Sequence, residues 1–126
     1  MASSSNISVN LDVAKRLDIT CRKGDTFELF IEAKDSLGND IDFTTYTMGL
    51  AQVRPTDDSS TLVLEFTDTA GTIVFSNGKF KLTQTATTMS SVDSGVYVYD
   101  IQLADASAKI VTWFYGLFKI NEDVSI

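Results

Sequence analysis

Apolar and polar residues alternate with a period of two along most of the chain, the repeat of a β-strand with one buried and one wet face. Phe27, Leu29, Ile31 and Ala33 alternate with Glu28, Phe30, Glu32 and Lys34, so residues 26–34 are predicted to form a strand. Tyr97, Tyr99, Ile101 and Leu103 fall on one side of a second strand, with Val98, Asp100 and Gln102 on the other. Near the start, Ile7, Val9, Leu11 and Val13 alternate with Ser8, Asn10 and Asp12, and residues 17–21 resume the pattern after Lys15-Arg16. Further strands are predicted over residues 46–54, 62–66, 73–75, 80–82 and 110–120. The last is apolar on both faces, which predicts a central strand or one covered on both sides.

Turn chemistry punctuates these runs. Asn77-Gly78 between two apolar segments is the strongest short hairpin signal. Lys23-Gly24-Asp25, the polar run 35–42, Pro55 with the Asp and Ser residues after it, and Asp105-Ala106-Ser107 mark further turns. Residues 84–92 lack strand alternation and suit about one helical turn, since their threonines disfavour a longer helix. The pattern therefore predicts an all-β protein, an antiparallel immunoglobulin-like β-sandwich of about seven to nine strands. Its expected organisation is an N-terminal arm or edge strand over residues 1–13 and one sandwich domain over residues 14–126. The apolar stripe of the arm exceeds what one small sandwich visibly has room to bury. It is therefore expected to order against a partner.

Asp93, Gly95 and Tyr97 stand at alternate positions just before the second strand. This order resembles the tyrosine corner of immunoglobulin-like sandwiches, in which a Tyr hydroxyl bonds back to upstream backbone. Tyr97 would be that tyrosine, and an ordinary turn before an ordinary strand is the alternative. Tyr99 stands where antibody-type domains carry the second disulfide cysteine, so the resemblance covers the corner and not the disulfide.

Composition removes several classes of function. The 126 residues carry 17 Asp plus Glu against 10 Lys plus Arg, a net charge of −7. The basic pairs Lys15-Arg16 and Arg22-Lys23 each lie near an aspartate, so nucleic acid is not an expected partner. No run approaches the roughly 20 apolar residues of a spanning helix, and the first six residues lack the features of an export signal. A membrane partner is not expected either. With a single cysteine, Cys21, and no histidine, neither an internal disulfide nor a zinc site is expected, and Cys21 reads as a small apolar residue. Residues 35–42 gather Asp35, Asp40 and Asp42 around Gly38, oxygen-rich chemistry of the kind calcium takes, but Thr44 stands where an EF-hand loop closes with glutamate. No metal or other cofactor is expected. Asp100 and Asp105 are the carboxylates that could in principle act as a pair on glycosides, but a sandwich of this size leaves little room for a substrate cleft. No nucleophile motif accompanies them, and the chain is not expected to be an enzyme. Trp113 and Tyr115, two residues apart, are expected to share one strand face, packed in the core or exposed as an interface or sugar-stacking pair.

The order of motifs is similar to that of small phage virion domains, including the N-terminal domain of phage upper baseplate proteins and related head- or tail-attached sandwiches. The likeness is carried by Lys23-Gly24-Asp25-Thr26-Phe27, the run 35–44, Tyr46 with Gln52-Val53-Arg54, the run 95–103, and Gly116-Leu117-Phe118-Lys119-Ile120. The resemblance implies a non-enzymatic subunit, made in the host cytoplasm and located in the virion. Such a subunit docks on the capsid, portal or tail components as a decoration, adaptor or fibre-anchoring protein. It would be present as a homo-oligomer or in symmetric multiple copies. The expected attachment residues are the stripe Ile7, Val9, Leu11 and Val13, and then Trp113 and Tyr115. A carbohydrate-binding module or a bacterial surface adhesion module is the alternative expectation.

Overall fold

The computed structural model describes residues 14–35 and 37–122; the stripe Ile7, Val9, Leu11 and Val13 lies outside the described residues. Two short strands come first, β1 (Lys15–Arg16) and β2 (Ile19–Arg22), followed by β3 (Phe27–Glu32), β4 (Met48–Arg54), β5 (Leu64–Thr67), β6 (Ile73–Ser76) and β7 (Lys79–Gln84). A one-turn helix, α1 (Ala86–Ser90), precedes the two longest strands, β8 (Gly95–Ala104) and β9 (Ile110–Asn121). Thr85 caps α1, its hydroxyl oxygen accepting from the Thr88 N–H.

The strands form two sheets, one ordered β3-β7-β6 and the other β1-β9-β8-β4-β5, with β2 also on β9. All pairs are antiparallel except β1 and β2, which run parallel to β9. In immunoglobulin lettering the smaller sheet is B-E-D and the larger is G-F-C-C′, the variable-type arrangement, with the leading strands lying along G. The protein is thus an all-β, immunoglobulin-like sandwich. The inner faces meet in one core, where the Phe27 ring of the smaller sheet lies 5.4 Å from Phe66 and 5.5 Å from Phe118 of the larger. Phe43, Phe66, Phe80 and Phe118 are fully buried, each contributing about 1.5–3 kcal/mol by removal from water. Gln84, the buried polar residue among them, reaches across the core to donate from Nε2 to the Glu65 carbonyl at 2.7 Å.

The Asn77-Gly78 hairpin forms as its sequence predicts, with Ser76 opposite Lys79 and Phe75 opposite Phe80. Gly78 takes φ +84°, open to glycine at no steric cost. β9 is interior to its sheet, bonded to β8 on one edge and to β1 and β2 on the other.

Several predicted boundaries shift for local reasons. The third strand starts at Met48 instead of residue 46, because Asp42 Oδ1 accepts from the Thr44 N–H and winds Phe43–Thr45 into a 3-10 turn. The next starts at Leu64 instead of residue 62, and residues 17–21 do not run as one strand, since the chain breaks at Leu17-Asp18. Trp113 and Tyr115 do not share a face. Ile101 pairs with Phe114 but Gln102 pairs with Thr112, so Trp113 is the extra residue of a β-bulge. The bulge turns Trp113 inward, its ring 5.4 Å from Phe43 and 6.0 Å from Tyr46, and leaves Tyr115 on the outer face.

Candidate functional site

The start of β8 is fixed by two tyrosines on its inner side. Tyr97 Oη donates to the Asp93 carbonyl at 2.6 Å, the bond of a tyrosine corner, and its ring stands over Gly95. Asp93 serves through its backbone, because its carboxylate is almost fully exposed and reaches Lys23 only at 4.0 Å. The Ser94 hydroxyl donates to the Glu122 carboxylate at 2.7 Å. Tyr99, at the position of the missing disulfide cysteine, is buried edge-on against Phe118 and donates its hydroxyl to the Leu17 carbonyl. Burial, and then the nearby Asp18 carboxylate, push its pKa upward.

The Leu17-Asp18 break is therefore a clasp onto β9. Leu17 N–H donates to the Tyr115 carbonyl at 2.9 Å, and Asp18 Oδ1 accepts from the Leu117 N–H at 3.0 Å and from Arg16 Nε at 3.1 Å. Gly116 makes room for it, because a Cβ there would lie 2.6 Å from the Leu17 carbonyl oxygen and 2.7 Å from Asp18 Oδ1. Sequence reasoning did not single out Asp18 or Gly116. The available signal was a glycine inside a strand apolar on both faces, which marks a close backbone approach.

The oxygen-rich loop spends its carboxylates on itself. Asp35 Oδ1 accepts from the Leu37 and Asn39 N–H groups, Asp40 pairs with Lys34 Nζ at 2.6 Å, and Asp42 caps the 3-10 turn. Among the described residues no three His, Cys, Asp or Glu side chains gather as a metal site. Cys21 is half-buried on β2 opposite Ile120, its thiol pushed up to about 11 by burial and then by Asp25, which leaves it poorly nucleophilic at neutral pH.

The described residues also line several concave regions, a small one of about 200 Å³ between β2 and the start of β3 among them. A shallow depression of about 340 Å³ lies on the outer face of the larger sheet, where Tyr115 and Leu117 meet Arg16, Arg54 and Asp100. A larger groove of about 540 Å³ opens between the ends of the two sheets, walled by Tyr46, Val111, Trp113 and Phe114 and rimmed by Glu32 and Lys34. Asp105 belongs to this groove and Asp100 to the depression, so the two carboxylates do not form a pair. Asp105 Oδ1 instead accepts from the Ser107 and Lys109 N–H groups and holds the β8–β9 turn. Asp100 has its pKa raised by burial, with Arg54 working against that shift. No described helix is long and apolar enough to cross a membrane.

No family model matches the chain, and no curated protein matches it. Among solved structures it is similar to extracellular domains 3–5 of Drosophila OTK, at 15% identity and a TM-score of 0.30, over 90% of this chain and 34% of that one. The chain thus spans about a third of the length of that structure.

Proposed function

We propose that this chain is a non-enzymatic structural subunit of a phage particle. It docks in multiple copies on the capsid or on the tail or baseplate, as a decoration, adaptor or fibre-anchoring protein. The observation that supports this reading is the outer face of the larger sheet. Val96, Tyr115 and Leu117 are 57%, 42% and 38% exposed there, and Val98 lies directly opposite Leu117. Lys119 stands opposite Val96 and Asp100 opposite Tyr115, while Arg16 and Arg54 flank the depression. An apolar centre with a charged rim is the anatomy of a protein interface. The order of turn and strand motifs adds the resemblance to virion domains. Val96→Asp with Leu117→Asp is expected to remove the protein from purified particles while leaving its thermal midpoint unchanged. Normal incorporation of that variant, or absence of the unaltered protein from particles, would overturn the reading.

The competing reading, a carbohydrate-binding or bacterial surface adhesion module, has the rings of Tyr46, Trp113 and Phe114 on the groove in its favour. Saturable binding on a glycan array, without particle association, would select it.

A further inference from the structure

The groove between the ends of the two sheets has walls of a definite shape. The Tyr46 and Trp113 rings meet at 77° with their centroids 6.0 Å apart, so they form a corner and not a flat platform. Behind them the fully buried Phe43 packs on both, at 5.3 Å from Tyr46 and 5.4 Å from Trp113, and fixes the corner in place. Such a corner takes one ring, with a face on one wall and an edge on the other, and the volume of about 540 Å³ lies in the range of small-molecule sites.

The polar groups that line the groove are mostly donors. Tyr46 Oη and Trp113 Nε1 have no hydrogen-bond partner among the described residues, and no buried side-chain nitrogen or oxygen there lacks one, so both groups are open to solvent. Burial, and then Asp105, push the Tyr46 pKa up, so its hydroxyl keeps its proton. Lys15 and Lys109 line the groove with no ion pair among the described residues, whereas Lys34 is engaged by Asp40 at 2.6 Å. Against these stand the carboxylates of Glu32 and Asp105, and Asp105 Oδ1 already accepts from two backbone N–H groups. In a chain of net charge −7 the groove thus offers an excess of free donors, two of them ammonium groups.

We propose that this groove holds a single pyranose ring that carries a carboxylate, an acidic sugar at the end of a glycan. The ring sits in the corner of Tyr46 and Trp113, and its carboxylate meets the ammonium groups of Lys15 and Lys109. Its hydroxyls, which both donate and accept, serve Tyr46 Oη, Trp113 Nε1 and the free oxygens of Glu32 and Asp105. An aromatic acid has no hydroxyls and would leave those carboxylates unserved. The inference rests on the groove as a carbohydrate seat, the second reading above, and names the sugar. It is compatible with docking, because the groove and the depression on the outer face share no lining residue.

Trp113 is the single tryptophan and lines the groove, so its emission reports occupancy, with saturation-transfer NMR as a second readout. The probes for the full chain are the methyl glycosides of glucuronic, galacturonic and N-acetylneuraminic acid. Each is titrated beside its methyl ester, which keeps the ring and removes the charge, and benzoate supplies a ring and a charge without hydroxyls. At least one acid is expected to bind saturably, to shift Trp113 emission, and to bind at least about tenfold more tightly than its ester. Lys15→Ala with Lys109→Ala is expected to abolish that preference and to leave ester binding and the thermal midpoint unchanged. Equal binding of acid and ester, or a preference that survives in the double variant, overturns the proposal while leaving the carbohydrate reading in place. No binding by any of the three acids overturns both, and benzoate binding as tightly as the acids overturns them in favour of a site for apolar anions. Docking is read separately, by incorporation into particles.

Discussion

The two halves of β9 share one strand and one partner, β8, yet differ in what holds the opposite edge. Residues 114–121 are flanked by β1 and β2 and locked by the Leu17-Asp18 clasp, while residues 110–113 have only β8 among the described residues. The closed half shows how a sandwich with no disulfide ties its leading strand down. One tyrosine hydroxyl, one carboxylate and one missing Cβ meet at Leu17-Asp18. Stability is therefore expected to be uneven along a single strand, highest beside Gly116 and lowest at the groove.

The strongest way to erase that contrast is Gly116→Val. The added side chain has to displace the backbone of Leu17, so a loss of about 3 kcal/mol is expected in chemical denaturation; an unchanged midpoint would show that the clasp gives way freely. Tyr99→Phe is expected to cost about 1–2 kcal/mol, because the Leu17 carbonyl loses its donor, and Tyr97→Phe about 1 kcal/mol at the more accessible corner. A reversed ranking would mean that the corner, and not the clasp, carries the closed half.

Titration sharpens the comparison further, since two aspartates on either side of the outer face respond with opposite sign. The Asp18 carboxyl is held below its ordinary 3.8, chiefly by the Leu117 N–H with Arg16 adding to it. Its contribution is thus present above that value and is lost as pH falls through the depressed folded-state pKa. Asp100 is raised above 3.8 by burial, so its contribution is present at low pH and lost as pH rises through the folded-state pKa. Asp18→Asn is expected to flatten the acid limb of the melting curve, and Asp100→Asn to raise the midpoint at neutral pH with no gain in strong acid. The smallest effect is expected from calcium. With Asp35, Asp40 and Asp42 each engaged within their own turn, micromolar calcium should leave the thermal midpoint where it was, and a rise would make that loop a site.

Features set by local spacing were readable in the chain. Asn77-Gly78 fixed a hairpin, the short helix fell between residues 84 and 92, and the Asp93, Gly95, Tyr97 spacing left open a tyrosine corner or an ordinary turn, where the structure has the Tyr97 hydroxyl bonded to the Asp93 carbonyl. What could not be read depends on one residue's departure from the period or on contacts across the whole chain. A period of two assigns Trp113 and Tyr115 to one face, and the single extra residue of a bulge reverses that assignment for everything beyond it. The parallel pairing of β1 and β2 with β9 joins segments about a hundred residues apart, as in the bond from Leu117 N–H to Asp18, and nothing in either segment names the other. Asp18 consequently looked like an ordinary surface charge, and Gly116 like one more strand position.

That parallel pairing also decides how the protein answers to tension. Four residues of β2 and two of β1 lie beside β9 in the same direction. A pull on the chain ahead of β1, opposed by a pull on the chain after β9, slides these strands lengthwise past one another. The ladder bonds and the Leu17-Asp18 clasp then bear the load together, in shear, and cannot open one at a time as in the peeling of a hairpin. The same contacts that make a modest difference to equilibrium stability make this pair of strands the mechanical lock of the domain.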